Sequence, residues 1–320
     1  MGFLSSLFGS GQQTPEQQRE KQAEKDFDVL KYDGVRAQRI NRFDYARKCF
    51  EEALRLKEDY ETLGFLSSLL ITTNHVEDAV APLQRMIALQ PEVTDAHNTL
   101  GNVYYILENY ADMEQVLNDA LAIAPDNART HYIMGRAKRS LGKADEAIEH
   151  LTTAISLQDS FAEAFLLRGE IYADNNNPDA ALADAEAVLS ISDGDENAMM
   201  LKARVMSQTG KTAEAEEAYR RVLDLNPFNR QAYIDLARLL VALQRTDEAS
   251  ALLSEAIDLS SDFAEAYTER ASLRRLSGDE AGAASDEATA QKLQATAADS
   301  ANTAIPDASQ SIRKTDILGL

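Results

Sequence analysis

Residues 96–127, AHNTLGNVYYILENYADMEQVLNDALAIAPDN, lie over residues 130–160, THYIMGRAKRSLGKADEAIEHLTTAISLQDS, with Gly101 on Gly135 and Ala120 on Ala154. The step between them is 34 residues. Carried forward, the same step reaches Gly169, Ala203, Ala237 and Ala271; carried back, it reaches Ser67 and, after a one-residue slip, Gly34. A fixed period of this size marks a repeat architecture, in which each copy buries its apolar face only against its neighbours. The chain divides into eight units starting at residues 27, 60, 94, 128, 162, 196, 230 and 264.

Three columns of this register carry the packing. Position 8 is always small: Gly34, Ser67, Gly101, Gly135, Gly169, Ala203, Ala237 and Ala271. Position 20 is alanine at 46, 79, 147, 181, 215, 249 and 283, with Met113 the exception. Position 30 is aliphatic throughout: Leu56, Leu89, Ile123, Leu157, Ile191, Leu225, Leu259 and Leu293. Small residues at 8 and 20 let two antiparallel helices approach to the usual ~8–10 Å axis spacing. The aliphatic residue at 30 is expected to close the second helix onto the next unit.

These residues resemble the tetratricopeptide repeat, a helix–turn–helix with small residues at 8 and 20, alanine at 27 and proline at 32. Position 27 here is Ala53, Met86, Ala120, Ala154, Val188, Val222, Ala256 and Ala290, and the proline occurs as Pro91, Pro125 and Pro227. The likeness covers residues 27 to about 297. It implies an all-α fold, a right-handed superhelical solenoid of antiparallel helix pairs. The last unit departs most, with Glu287 in place of the large apolar residue at position 24, which suits a polar terminal cap.

In this family, positions 2, 5, 9 and 12 of the first helix line a concave groove for peptides. By that resemblance, positions 9 and 12 hold Arg136, Arg139, Arg204, Arg238 and Arg275 against a single Glu170, inside a chain of net charge −21. The planar guanidinium fork suits carboxylates. An acidic segment or a free carboxyl terminus is therefore the expected ligand, with Arg136, Arg139, Arg204 and Arg238 as contacts and Asn98, Asn102, Tyr105 and Tyr132 as polar or stacking neighbours. The alternative is that these arginines pair with Glu163, Glu170 and Asp174 or are solvated. The family's two-carboxylate clamp for chaperone tails matches only at Asn102.

Other motifs dissolve into the register. Gly210-Lys211-Thr212 ends like a phosphate-binding loop, but Val205 stands where its first glycine belongs and the flanks read as helices. The same turn recurs as Gly142-Lys143, Gln244-Arg245 and Gly278-Asp279, where glycine ends the first helix and Asp or Thr is expected to cap the second. SDGDENA, residues 192–198, lacks the glycine and the twelfth-position glutamate of a calcium loop, and reads as a turn capping the next helix. His97 and His131 share position 4 and are expected to pack; His75 and His150 pair with no nucleophile, and Cys49 reads as a half-buried small apolar residue. No catalytic order, metal-ligand spacing or cofactor cradle is present, so neither an enzyme nor a cofactor is expected.

Composition bounds the rest. With 53 acidic and 32 basic side chains, the chain lacks the basic patch that nucleic-acid binding requires. A single cysteine fits a reducing, cytoplasmic setting, and no run is long enough for a membrane span. Residues 1–26 form an apolar amino end and a polar, flexible lead that turns helical near residue 16; Met1-Gly2-x-x-x-Ser6 matches the myristoylation pattern. Phe3, Leu4, Leu7 and Phe8 read as a frayed end or a cap, or else as a peripheral membrane contact through residues 3–8. Residues 298–320 read as a flexible tail. The expected function is a non-enzymatic scaffold that binds a protein or peptide partner. Its rivals are a membrane-associated assembly factor held by the amino end and a self-assembling array.

Overall fold

The computed structural model describes residues 14–303, with side chains through residue 297, and all its regular structure is helical. It forms two compact units, divided between Ile123 and Ala124. The expectations for residues 3–8 and for the end of the tail lie outside the described residues.

The first unit pairs α1 (Pro15–Arg39) with α2 (Phe43–Leu56), α3 (Tyr60–Thr72) with α4 (Val80–Leu89), and α5 (Thr94–Ile106) with α6 (Tyr110–Ile123). A single 3-10 turn, Glu77–Ala79, leads into α4. The second unit pairs α7 (Ala128–Ser140) with α8 (Ala144–Leu157), α9 (Ala162–Asp174) with α10 (Pro178–Ile191), and α11 (Glu196–Gln208) with α12 (Thr212–Leu225). It continues with α13 (Arg230–Ala242) beside α14 (Thr246–Leu259), and α15 (Ala264–Leu276) beside α16 (Glu280–Thr303). From α3 onward, every first helix starts at the first residue of its 34-residue unit.

Close approach explains the small columns. A Cβ on Gly34 would lie 2.5 Å from the Phe50 ring, one on Gly101 2.9 Å from Leu117, and one on Gly135 2.7 Å from Leu151. Position 8 of the first helix thus receives the large side chain at position 24 of the second. Every residue at position 20, Met113 included, is wholly buried. Position 11 meets position 19, as in Lys138 Nζ to Glu146 at 2.6 Å, so the helices of a pair run antiparallel.

The turn inside each pair is the same in all eight. Position 15 has a positive φ whether it is glycine (Gly142, Gly210, Gly278) or not (Asn41, Asn74, Glu108, Asn176, Gln244). The next residue's N–H then returns to the carbonyl five residues back, as in Lys211 to Met206 and Arg245 to Leu240, both 2.9 Å. This left-handed stop satisfies carbonyls that the helix end would otherwise leave open. The Gly210-Lys211-Thr212 stretch is one instance of it.

Not every expectation holds as drawn from the sequence. The lead turns helical at Pro15, close to the expected residue 16, because Thr14 and Gln17 form a reciprocal capping box there, and residues 15–26 belong to α1. At the other end, α16 runs past residue 297 to Thr303, since no proline or glycine interrupts it after Gly282. The expected caps hold at α16, where Asp279 accepts from the Gly282 N–H at 2.9 Å, but not at α8, α12 or α14: the left-handed residue leaves one linker before the helix, and that cap position is Lys143, Lys211 or Arg245, none with a side-chain hydrogen bond. Finally, position 30 does not close onto the next unit. Leu56 through Leu259 in that column are 40–54% exposed, because the residue sits at the end of the second helix. Cys49 is fully rather than half buried.

Candidate functional site

In the first unit, α5 carries Asn98, Asn102 and Tyr105. Asn98 and Asn102 are buried, not groove-surface groups, because α5 is packed on several sides: Ala96, His97, Leu100, Gly101, Val103 and Tyr104 are buried with them. Tyr105 is half-buried and meets Tyr110 edge to face, with ring centres 6.1 Å apart. His97 packs as expected, its Nδ1 3.1 Å from the Val93 carbonyl.

In the second unit, successive first helices touch one another, α7 with α9, α9 with α11, α11 with α13 and α13 with α15. The expected groove arginines stand on these helices, but their surroundings differ. Arg136 is buried, its guanidinium 5.8 Å from the centre of the Tyr132 ring, which in turn packs on Phe161 at 5.0 Å. Arg139 is held by Glu170 and by Asp174, at 3.2 Å, both on α9. Arg238 is held by Glu269 at 2.6 Å and Glu265 at 3.1 Å, both on α15. Arg275 reaches Glu287 at 2.7 Å. The pairing of Arg139 is the alternative raised by the sequence, and Arg238 shows it again: an arginine on one first helix meets carboxylates on the next.

Arg204 is different. Half-buried on α11, it makes no hydrogen bond or ion pair with any described residue, and it lines a pocket with Ser207, Gln208, Tyr219, Asp235 and Arg238. Burial pushes the Asp235 carboxyl above its ordinary value, opposed by the Gln231 amide, which donates to it at 2.8 Å, and by Arg238 and Arg204. Burial also pushes the Tyr219 phenol up, Asp235 adding to the rise and Arg204 opposing it. The sequence flagged Arg204 and Arg238. It did not flag Tyr219, which occupies a core column, or Asp235 at position 6.

The sequence also missed a histidine pair. His131 Nδ1 lies 3.0 Å from His150 Nδ1, and His131 Nε2 lies 3.0 Å from the Pro125 carbonyl. Positions 4 and 23 of one unit face each other across the helix pair, a signal present in the register. Among the described residues no group of three or more His, Cys, Asp or Glu is placed to hold a metal ion. None of the described helices is long and apolar enough to cross a membrane.

Three profiles of the tetratricopeptide repeat match the chain, over residues 92–160, 132–196 and 206–273. No curated protein sequence matches it. Among solved structures, a tetratricopeptide repeat protein from Parabacteroides merdae is 18% identical, with a TM-score of 0.59 over 73% of this chain and 93% of that one. Pseudomonas aeruginosa PilF is 19% identical, with a TM-score of 0.55 over 63% of this chain and 92% of its own. PilW, a type IV pilus biogenesis factor, is 20% identical, with a TM-score of 0.55 over 62% and 92%. At these identities the likeness is one of fold. Repeats of this kind generally serve as protein-binding scaffolds rather than catalysts. The helix pairs, the eightfold turn and the matched profiles together make this chain a member of the tetratricopeptide-repeat family.

Proposed function

We propose that this protein is a non-enzymatic scaffold that holds an extended peptide segment of a partner protein on the face formed by its first helices. The observation that carries the reading is the run of touching first helices α7, α9, α11, α13 and α15, which presents the same register positions at a constant step along a single surface. A face built this way suits an extended chain, whose residues meet successive units in turn.

Selection of the segment by acidity, expected from the arginine columns, loses support from the ion pairs. A partner carboxylate at Arg139 or Arg238 would have to displace two carboxylates of the chain itself. The selectivity we propose is for a polar segment held around Arg204. The excess of acidic side chains keeps the remaining surface soluble and discourages stray contacts.

A photo-crosslinking amino acid placed at Ser207, on the first-helix face, and in a second protein at Arg221, exposed on α12, tests the reading in cell lysate. A discrete crosslinked partner from position 207, and none shared with position 221, is the expected result. Capture from position 221 alone would move the interaction to the second-helix face and overturn the proposal.

A further inference from the structure

The pocket beside Arg204 has a volume of about 410 Å³, within the range of sites that hold a small group. It opens between α11, α12 and α13. Tyr219 is 2% exposed, yet its hydroxyl makes no hydrogen bond with any described residue. A phenol whose ring is buried normally finds a partner for its hydroxyl, and the small part of Tyr219 that stays open to solvent lies at this pocket. Arg204, beside it, has no bonded carboxylate. Asp235 accepts one hydrogen bond, from Gln231, and a carboxylate has room for about four. Arg238, at the rim, turns its Nε and Nη2 to Glu265 and Glu269, whose charges outweigh its own. The pocket thus offers two open donors, the Arg204 guanidinium and the Tyr219 hydroxyl, and one open acceptor, Asp235.

That set sorts ligands by charge. A carboxylate would gain Arg204 but be turned against Asp235; an ammonium would gain Asp235 but be turned against Arg204. The charges of Arg204 and Asp235 cancel, so a neutral group with a carbonyl oxygen and an N–H on the same carbon meets all three at once. We propose that this pocket receives a primary carboxamide, the side chain of a Gln or Asn in the bound segment, its oxygen accepting from Arg204 and Tyr219 and its nitrogen donating to Asp235. The assignment rests on the first-helix face being the binding face, and it supplies the specificity element of that face. The serine and glutamine at the rim, Ser207 and Gln208, are placed to hold the main chain that carries the amide.

The full chain titrated with N-acetylglutamine methylamide and with N-acetylglutamate methylamide gives a direct test, read by NMR at the Arg204 Nε–H and the Tyr219 ring. The glutamine compound is expected to give saturable shifts at both residues, and the glutamate compound to bind about tenfold more weakly, the scale of one hydrogen bond to a charged group. Tyr219→Phe should weaken the glutamine compound without unfolding the pair, since the ring stays. Asp235→Asn should reverse the preference, because a carboxylate then meets Arg204 unopposed. Equal or tighter binding of the glutamate compound to the wild-type chain, or glutamine shifts that persist unchanged in both variants, would overturn the proposal. A partner crosslinked from Ser207 together with no shift at Arg204 would sink the carboxamide site while leaving the binding face in place. Loss of both would remove the face as well.

Discussion

Arg168 and Arg204 sit two register positions apart on the first helices of neighbouring pairs, at positions 7 and 9, and so point to nearly opposite sides of the helix. Arg168 is clamped: Nε and Nη2 bond Asp184 at 3.0 and 2.7 Å, and Nη1 bonds Thr152 of the preceding unit at 2.9 Å. Three units later, Arg270 repeats this with Asp286 at 2.9 and 2.8 Å and Ser254 at 3.0 Å. Burial works against the charge on Arg168, and the hydrogen bonds of Asp184 more than offset it. Arg204 has no such partner. Position 7 faces into the helix pair, where an unpaired guanidinium would be intolerable; position 9 faces the surface where successive first helices meet. The same residue type fastens the fold at one position and is left open for a ligand at the other.

The largest effect is expected from breaking the clamp. Arg168→Met should cost about 3 kcal/mol, at the low end for a severed buried pair because Arg168 keeps some exposure and Asp184 almost none. Amide exchange should lose protection first in α9 and α10, since each repeat answers mainly to its neighbours. Adding Asp184→Leu should restore most of the loss, because no buried charge is then left alone. Arg270→Met should be milder, as Arg274 Nη1 also reaches Asp286, at 2.9 Å. A silent Arg168→Met would erase the distinction between positions 7 and 9.

The clamp and the open arginine were not equally legible in the sequence. Helix pairing was written in position 20, where every residue is wholly buried, and in position 8, where Gly34, Gly101 and Gly135 leave no room for a Cβ. The left-handed turn was legible at Gly142, Gly210 and Gly278, and by register at Gln244, but hidden at Glu108, because a non-glycine residue can be forced to positive φ by the helices on either side. Position 30 misled because an aliphatic side chain suggests burial, whereas the end of a helix leaves it half open. At the site, the register picked out Arg204 and Arg238, and the carboxylates weighed as partners were those of α9, not those facing Arg238. Glu265 and Glu269 at positions 2 and 6 satisfy Arg238, and the unit after Arg204 offers only Asp235, which does not bond it. Tyr219 was invisible as a site residue because its ring belongs to the core and only the tip of the side chain is polar.

A third arginine, Arg245 at position 16, sharpens the comparison by pH. It bonds Glu216 of the preceding unit and Glu248 of its own. The Arg245 hydrogen bond, with help from Arg220 and against burial, holds the Glu216 carboxyl below its ordinary value of 4.5. A carboxylate depressed in the folded chain adds stability above its unfolded value and loses it as pH falls through the folded one. Protection of α12 should therefore weaken on acidification below about pH 4.5, the ordinary carboxyl value. In Arg245→Gln, NMR titration should place the Glu216 midpoint higher and the acid loss should shrink. An unmoved midpoint would mean that the bridge between units is solvated in solution.

The smallest effects separate the two arginines at position 9. Arg238 is half exposed and its two ion pairs lie at the surface, so Arg238→Gln should cost no more than about 1 kcal/mol in urea unfolding at low salt. In 1 M NaCl that cost should vanish, because the screening length falls to about 3 Å. Arg204→Gln breaks no pair and should stay within about 0.5 kcal/mol at either salt concentration. Its consequence should appear only in binding. A salt-dependent loss of stability in Arg204→Gln would show that Asp235 already serves it as a counter-ion. The pocket would then be internally balanced, and the difference between the two arginines would be one of degree.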